Sequence, residues 1–509
     1  MTADRLIERL RTREEQLFLV LTIVVGVAAG LSAVLFSLSI DAVTRLLFGT
    51  APSGARLFVV PVAGSVIGGI LLAKVVPGVR GSGVPQTKAA FHLNNGAIPV
   101  HVPIGKFVTG VLCIGSGQSM GREGPSVQIG AGLASAIGRW LDLPAHRIKE
   151  LVPVGAAGAL AAAFNTPVAA VLFALEEIIG DNNAPLLGST VIASVSSVIV
   201  ERAILGNEPL FHVPTYHLEH PAELIAYAVL GLVGGALSLL FCGALLWMRA
   251  HFMRLPAWTR IVQPVAGGMT VGLLLLVTPA VMGVGYDYVD QALNGGLLLR
   301  TMILLCLLKL VATTVSYSAG NAGGIFAPSL YIGAMAGGAL GVIVEQYAPF
   351  PTAGPGAYAL VGMGTLFAGI IRAPMTSVFM IFEITQDYQI LVPLMVANLL
   401  SFFLARRYQP VPVYDALLQQ DNIHLAHRAT APTRATRRAS DVMEPASESL
   451  AEPPAIHVHP DHDLAIVMER LAETTGELPV VSRADSRQII GTINVDTIRR
   501  GIHRRSAAT

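Results

Sequence analysis

Charge is scarce in this chain: only 13% of its 509 residues are Asp, Glu, Lys or Arg, about half the share of an ordinary soluble domain. That shortage argues against a water-soluble enzyme. A net charge of +1 leaves no global field to gather nucleic acid, so any ion selectivity must be built locally. Cysteine is nearly absent too. Cys113, Cys242 and Cys306 lie far apart in apolar surroundings with no CxxC pair; they read as small core residues rather than a disulfide framework. What is plentiful is apolar, with 53% hydrophobic residues and a mean hydropathy of +0.62. Apolar runs of about 20 residues, enough to cross a bilayer, recur from near Leu17 to near Leu404. The chain reads as a polytopic membrane protein. Its 51 Gly and 31 Pro predict broken or tightly packed helices rather than plain spans.

Residues 1–16 form a charged amphipathic stretch followed by an apolar run too long for a cleavable signal. They read as a cytoplasmic interfacial helix carrying Arg5, Arg9, Arg11 and Arg13. The membrane part spans 17–420, its last apolar segment ending at Arg406-Arg407; a basic linker covers 421–440, and a soluble tail follows over 441–503. Basic flanks at both ends place both termini in the cytoplasm and predict an even number of crossings. An internal repeat is more informative. Sliding the chain by 203 positions lays Lys106 on Lys309, Gly121 on Gly324 and Pro125-Ser126 on Pro328-Ser329. Four more residues of offset lay Gly155, Pro167 and Glu176 on Gly362, Pro374 and Glu383. The membrane part is therefore read as two homologous halves, about 17–205 and 221–405. Duplicated halves hold substrate where they meet at mid-membrane, and halves that each cross an odd number of times are inverted.

Three glycine-rich breaks interrupt the apolar sequence, each with a proline where a helix would begin: Gly81-Ser82-Gly83-Val84-Pro85, Gly121-Arg122-Glu123-Gly124-Pro125 and Gly323-Gly324-Ile325-Phe326-Ala327-Pro328. Proline suits the first helical turn, and glycine lets backbone approach a ligand closely. Each break thus offers a helix N-terminus with unpaired N–H groups and partial positive charge. Backbone left unpaired at membrane depth must line a cavity or meet a ligand, and several such termini together point to an anion. A terminus contributes only about 0.3–2 kcal/mol, whereas stripping an anion of water costs tens of kcal/mol. Hydroxyl donors must therefore help, and Ser82 and Tyr414 are placed to do so.

Ionisable residues within apolar sequence mark ion or proton paths. Glu123 stands at an anion-favouring terminus, where its own carboxylate could take the anion's place. Glu176 and Glu177 end the helix that starts at Pro167, and Glu383 is the repeat counterpart of Glu176; capping at the water interface is the alternative reading of the pair.

Taken together, GSGVP at 81–85, GREGP at 121–125, GGIFAP at 323–328 and Tyr414 resemble the CLC family of chloride channels and proton/chloride antiporters. The resemblance implies an all-α membrane domain of two inverted repeats with tilted, broken helices. It implies a homodimer with a separate pore in each subunit. It also implies that the Ser82 and Tyr414 hydroxyls and the N–H groups of Ile325 and Phe326 hold chloride, and that Glu123 is the gating glutamate. Serine at position 82 matches chloride-preferring members, where proline resembles the nitrate-preferring ones. Glu177 matches the antiporters' internal proton acceptor, which channels usually lack. Glu176 matches a residue shared more broadly and is read as structural. Gln86 departs from the Glu of many relatives, outside the ion-coordinating positions.

The tail, with Asp441-Val442-Met443, Gly476 to Val481 and Gly491 to Asp496, resembles one CBS motif, a small α/β unit. Such motifs pair, so this one is expected to meet its copy in the dimer. Asp496 resembles the ribose-contacting acid of nucleotide-binding members, but Asn494 replaces their usual Thr or Ser, which favours a structural contact over an adenine nucleotide. His457, His459 and His462 share one loop without cysteine partners, a poor metal set. The expected activity is chloride exchange for protons at the cell inner membrane, with no cofactor and no metal. A passive chloride channel of the same fold is the alternative. A membrane enzyme lacks support, since GREGP has neither the Lys nor the Ser/Thr of a phosphate-binding loop; a ligand sensor working through the tail is a third reading.

Overall fold

The structure, a computed structural model, describes all residues except 1–2, 50–51, 181–185, 208–209, 212, 215, 217, 426–437, 451, 455, 463, 473, 475, 484 and 499–509. Most of the expected basic linker thus lies outside the described residues, as do the side chains of residues 1–15, with their four arginines, and the end of the expected tail motif. Contacts divide the chain into two compact units, Met1–Leu425 and Ala426–Thr509.

The first unit is helical throughout. Its first half comprises α1 (Ala3–Phe48), α2 (Gly54–Ile70), α3 (Val84–Leu93), α4 (His101–Gly115), α5 (Glu123–Trp140), α6 (Ala145–Phe164), α7 (Pro167–Phe173) and α8 (Leu187–Leu205). The charged N-terminal stretch continues without interruption into α1. The second half comprises α9 (Glu223–Arg254), α10 (Gln263–Val277), α11 (Tyr286–Leu293), α12 (Leu299–Ser318), α13 (Phe326–Tyr347), α14 (Pro355–Ile371), α15 (Pro374–Thr385) and α16 (Leu391–Tyr408), followed by α17 (Val413–Gln420). Among the described residues, seven helices are long and apolar enough to cross a membrane. Others, such as α4, α10, α14 and α15, are apolar but shorter. Ile199, Leu240, Leu273 and Leu307 are each more than half exposed on the outer faces, an arrangement that water would not tolerate over so large a surface and lipid requires.

The duplication is visible residue by residue. Helices α5 and α6 cross where Gly130 meets Gly155: a Cβ on either would lie within 2.4 Å of the other's carbonyl oxygen. Helices α13 and α14 repeat this at Gly333 and Gly362, with 2.3 Å in both directions. Close backbone approach of this kind replaces the hydrophobic drive that lipid removes. Lys106 and Lys309, the first matched pair of the repeat, are both fully buried. Lys106 Nζ donates to the carbonyls of Val79 and Gly81 at 2.8 and 2.6 Å, and Lys309 Nζ to those of Val281 and Gly283 at 3.1 and 2.7 Å. Each lysine thereby pins the irregular chain of its own half.

The second unit holds α18 (Ala439–Val442), β1 (Glu444–Ser449), α19 (Leu464–Ala472), β2 (Leu478–Val481) and β3 (Gln488–Ile493). The strands form an antiparallel sheet in the order β1-β3-β2. A small core of Val442, Val458, Val467, Leu471, Leu478, Val480 and Ile493 sits under α19.

Candidate functional site

The three glycine-rich breaks come together and are stitched to one another by backbone hydrogen bonds. Gly121 N–H donates to Gly324 O at 2.8 Å and Gly324 N–H to Gly121 O at 2.7 Å. Gly323 N–H donates to Gly81 O at 3.1 Å, while Gly81 N–H reaches Asn321 O at 3.3 Å. Segments 81–85, 121–125 and 321–328, from both halves of the repeat, therefore start α3, α5 and α13 at one place. Pro85 occupies the first turn of α3, and Gly83, at φ +101°, takes the left-handed conformation that starts it. Pro125 and Pro328 stand in the first turns of α5 and α13. The N-cap residues of these helices, Gly83, Arg122 and Ile325, make no side-chain cap of their own, so the N–H groups of three first turns converge there. Gln86 ties down the start of α3 from both sides: its amide accepts from Gly83 N–H at 3.1 Å and donates to Arg80 O at 3.3 Å. A carboxylate could make only the first of these bonds.

Ser82, Glu123, Ile325, Phe326 and Tyr414 are all buried around this point. The Ser82 and Tyr414 hydroxyls stand close to one another, yet neither has a hydrogen-bond partner of good geometry among the described residues. A buried hydroxyl without a partner is costly unless something else satisfies it. A Cβ on Gly124 would lie 2.3 Å from Ser82 Oγ, and one on Gly121 would lie 2.4 Å from Glu123 Oε2 and 3.1 Å from the Ala327 amide nitrogen. The Glu123 carboxylate thus lies against the N-terminus of α13. Its other oxygen accepts a 2.6 Å hydrogen bond from the hydroxyl of Tyr286, at the start of α11. The guanidinium of Arg122 lies 5.7 Å from the centre of the Tyr286 ring, and Phe211 packs edge-on against that ring at 5.1 Å.

Glu176 and Glu177, adjacent in sequence, part company. They lie in a π-helical turn, Ala174–Ile179, that extends α7; such turns re-aim side chains at functional sites. Glu176 reaches the N-terminus of α15, accepting from Met375 and Thr376 N–H and the Thr376 hydroxyl at 3.1, 2.7 and 2.6 Å. Glu177 turns inward and is buried, with Oε1 2.9 Å from Lys88 Nζ. The same ammonium lies 2.6 Å from Asp415, next to Tyr414.

A cavity of about 590 Å³ opens beside the first break, lined by Gly81, Pro85, Tyr317 and Leu417. Lys74, Arg80, Arg249 and Arg260 also line it, against Asp421 as its one acid. Asp421 is paired with Arg249 at 2.7 Å. A concave surface with this surplus of cations concentrates anions.

In the tail, Asp496 is exposed within the helical residues 495–498, and the Asn494 side chain caps them by accepting from Thr497 N–H at 2.9 Å. The rings of His457, His459 and His462 stack edge to face at 5.4 and 5.2 Å. Among the described residues no group of three His, Cys, Asp or Glu is disposed to hold a metal ion.

Reading the sequence missed Lys88, Asp415 and Tyr286. Lys88 and Asp415 carried a usable signal, because a charge beside a membrane break needs a partner. Tyr286 carried none, since nothing local ties it to a glutamate 163 positions away.

Inverted halves, lipid-facing helices and helix N-termini meeting at a buried centre define a membrane transport protein built on broken helices. The chain belongs to the CLC family: its residues 64–406 match the family described as voltage gated chloride channel. It is 32% identical over 425 residues to the H(+)/Cl(-) exchange transporter ClcA of Vibrio cholerae, covering 79% of this chain and 89% of that protein. It is 33% identical over 419 residues to the chloride channel protein CLC-f of Arabidopsis thaliana, covering 75% of this chain and 53% of that one. Its fold superposes on a slow cyanobacterial Cl−/H+ antiporter with a TM-score of 0.72 and 26% identity, covering 81% of this chain and 98% of the other.

Proposed function

We propose that this protein exchanges chloride for protons across the cell inner membrane. The observation that carries the reading is the meeting of three helix N-termini around Ser82, Tyr414 and Glu123. In this reading chloride enters through the cation-lined cavity and is held by the Ser82 and Tyr414 hydroxyls and the N–H groups of Ile325 and Phe326. The N-termini flanked by Gly81, Gly83, Arg122, Gly124 and Gly324 supply the surrounding positive potential. Glu123, seated against one of those termini, competes with chloride when ionised and yields when protonated. Glu177, buried away from that terminus and held by a lysine, takes up the proton from the other side.

A passive channel would need the gate but not Glu177, and a buried carboxylate with an ammonium partner is costly to keep without a role. That observation, and the exchange activity in the name of the Vibrio relative, favour exchange. The reading makes the protein a homodimer with both termini cytoplasmic and no cofactor. It also makes the tail a single CBS motif meeting its copy, with Asn494 spent on a helix cap and Asp496 left as a weak nucleotide contact.

The test is paired chloride and proton flux in liposomes. A pH gradient should shift the reversal potential away from the chloride equilibrium value; no shift means a channel. Glu123→Gln should leave chloride flux without pH dependence and abolish proton movement. Glu177→Val should abolish proton movement while chloride flux keeps some pH dependence. Normal coupling in Glu123→Gln would overturn the gate assignment.

A further inference from the structure

Glu177 shares its ammonium partner with a second buried carboxylate, Asp415. Lys88, Glu177 and Asp415 are each at most 5% exposed, and one ammonium nitrogen touches both carboxylates, at 2.9 and 2.6 Å. The two contacting oxygens are therefore no more than 5.5 Å apart, the sum of those distances. That lies within direct or one-water proton transfer. With all three groups ionised, these three buried side chains sum to one negative charge. Adding a single proton makes that sum zero. The elements supplying the groups are separate: Lys88 from α3, Glu177 from the turn after α7, and Asp415 from α17, whose Tyr414 faces Ser82. Besides these three, the titratable groups near Glu177 are Tyr414, Glu176, which is engaged with α15, and His92, whose Nε2 lies 3.0 Å from the Ile178 carbonyl.

We propose that Asp415 is a second proton-holding group on the proton route, sharing one proton with Glu177 across Lys88. The inference rests on the exchange reading above and extends it. A proton arriving on Glu177 leaves its carboxyl oxygen as an O–H bond forms on Asp415, and the ammonium of Lys88 keeps its three hydrogens throughout. Lys88 is the positioning residue: it holds the two carboxylates close and offsets the charge of whichever one is ionised. The transfer carries the proton from the end of α7 to the helix that bears Tyr414, one residue from the anion site. This places proton and chloride on the same short element and gives a physical route for their coupling.

The experiment is chloride-driven proton uptake, measured with chloride efflux between pH 4.5 and 8, for the full-length protein in liposomes. Asp415→Asn should lower proton flux by about 100-fold relative to chloride flux, the low end of what a positioned proton-transfer group contributes. Asp415→Glu should restore it. Lys88→Gln should move the pH profile of proton flux while Lys88→Arg keeps the profile near that of the unsubstituted protein; this pair decides the question if Asp415→Asn does not fold. Wild-type coupling in Asp415→Asn, or proton and chloride fluxes that fall together at constant ratio, would overturn the inference and leave Asp415 a structural ion-pair partner. An unchanged profile in Lys88→Gln would do the same. Failure of the unsubstituted protein to move protons at all would instead overturn the exchange reading, and this inference with it.

Discussion

Glu176 and Glu383 cap each other's partner helices. Glu176, after α7, accepts from the Met375 and Thr376 amides at the start of α15; Glu383, near the end of α15, accepts from the Val168 and Ala169 amides at the start of α7, at 2.9 and 2.8 Å. Adding 207 to 168, 169 and 176 gives 375, 376 and 383, so the exchange obeys the repeat's own offset. Two short helices that run past each other, each ending in the other's N-cap, are what a two-fold between inverted halves produces. A carboxylate at an N-terminus also opposes the helix dipole favourably.

The first prediction follows from that exchange. Glu383→Ala leaves two amides of α7 without an acceptor, and unsatisfied donors cost about 1–3 kcal/mol. Thermal unfolding in detergent should occur at lower temperature, with Glu176→Ala producing a similar drop. An unchanged unfolding temperature in both variants would show that the caps carry no weight.

Tyr286 donates a hydrogen bond to the Glu123 carboxylate, the gate in the proposed reading. A hydrogen bond to a charged group is worth about 1.5–3 kcal/mol, so Tyr286→Phe should favour release of Glu123 by about ten-fold or more. Chloride efflux at pH 7 should then rise toward its acid value. A pH profile that overlays the unsubstituted one would remove Tyr286 from the gate.

Gly124 faces Ser82 with no room for a methyl group, since its Cβ would sit 2.3 Å from Ser82 Oγ and 3.0 Å from Ser82 O. Gly124→Ala should reduce chloride flux in a correctly assembled protein, whereas Gly243→Ala, with nothing within 4 Å, should not. Equal fluxes in the two variants would place the anion path elsewhere. Ser82→Pro removes the hydroxyl itself, and the nitrate-to-chloride flux ratio should rise.

The tail contains an acid-sensitive tie. The Arg483 guanidinium, 2.7 Å from Asp461, holds that carboxyl well below the usual carboxylate range, at about 2. A depressed folded-state value means the pair's contribution is complete above the ordinary aspartate range near ~4 and is lost as pH falls toward 2. Hydrogen exchange at β2, which ends two residues before Arg483, should accelerate over that interval. Arg483→Gln should abolish the acid-dependent step. Because the pair is exposed, high salt should blunt it too.

What the sequence determined by itself is what local physics reads. Hydropathy gave the membrane class, matched spacing from Lys106 and Lys309 gave the duplication, and glycine followed by proline marked where α3, α5 and α13 begin. Those signals sit within a few residues of one another and need no partner. Only the tertiary structure decided which distant groups meet. It split Glu176 from Glu177, sending the first to a helix end 199 positions away and the second to a lysine 89 positions back. It set Tyr286 on Glu123 and closed Lys88 onto Asp415. The reason is that a buried charge or unpaired amide takes its partner from whatever the packing of two inverted halves brings within about 3 Å, and sequence separation has no bearing on that distance.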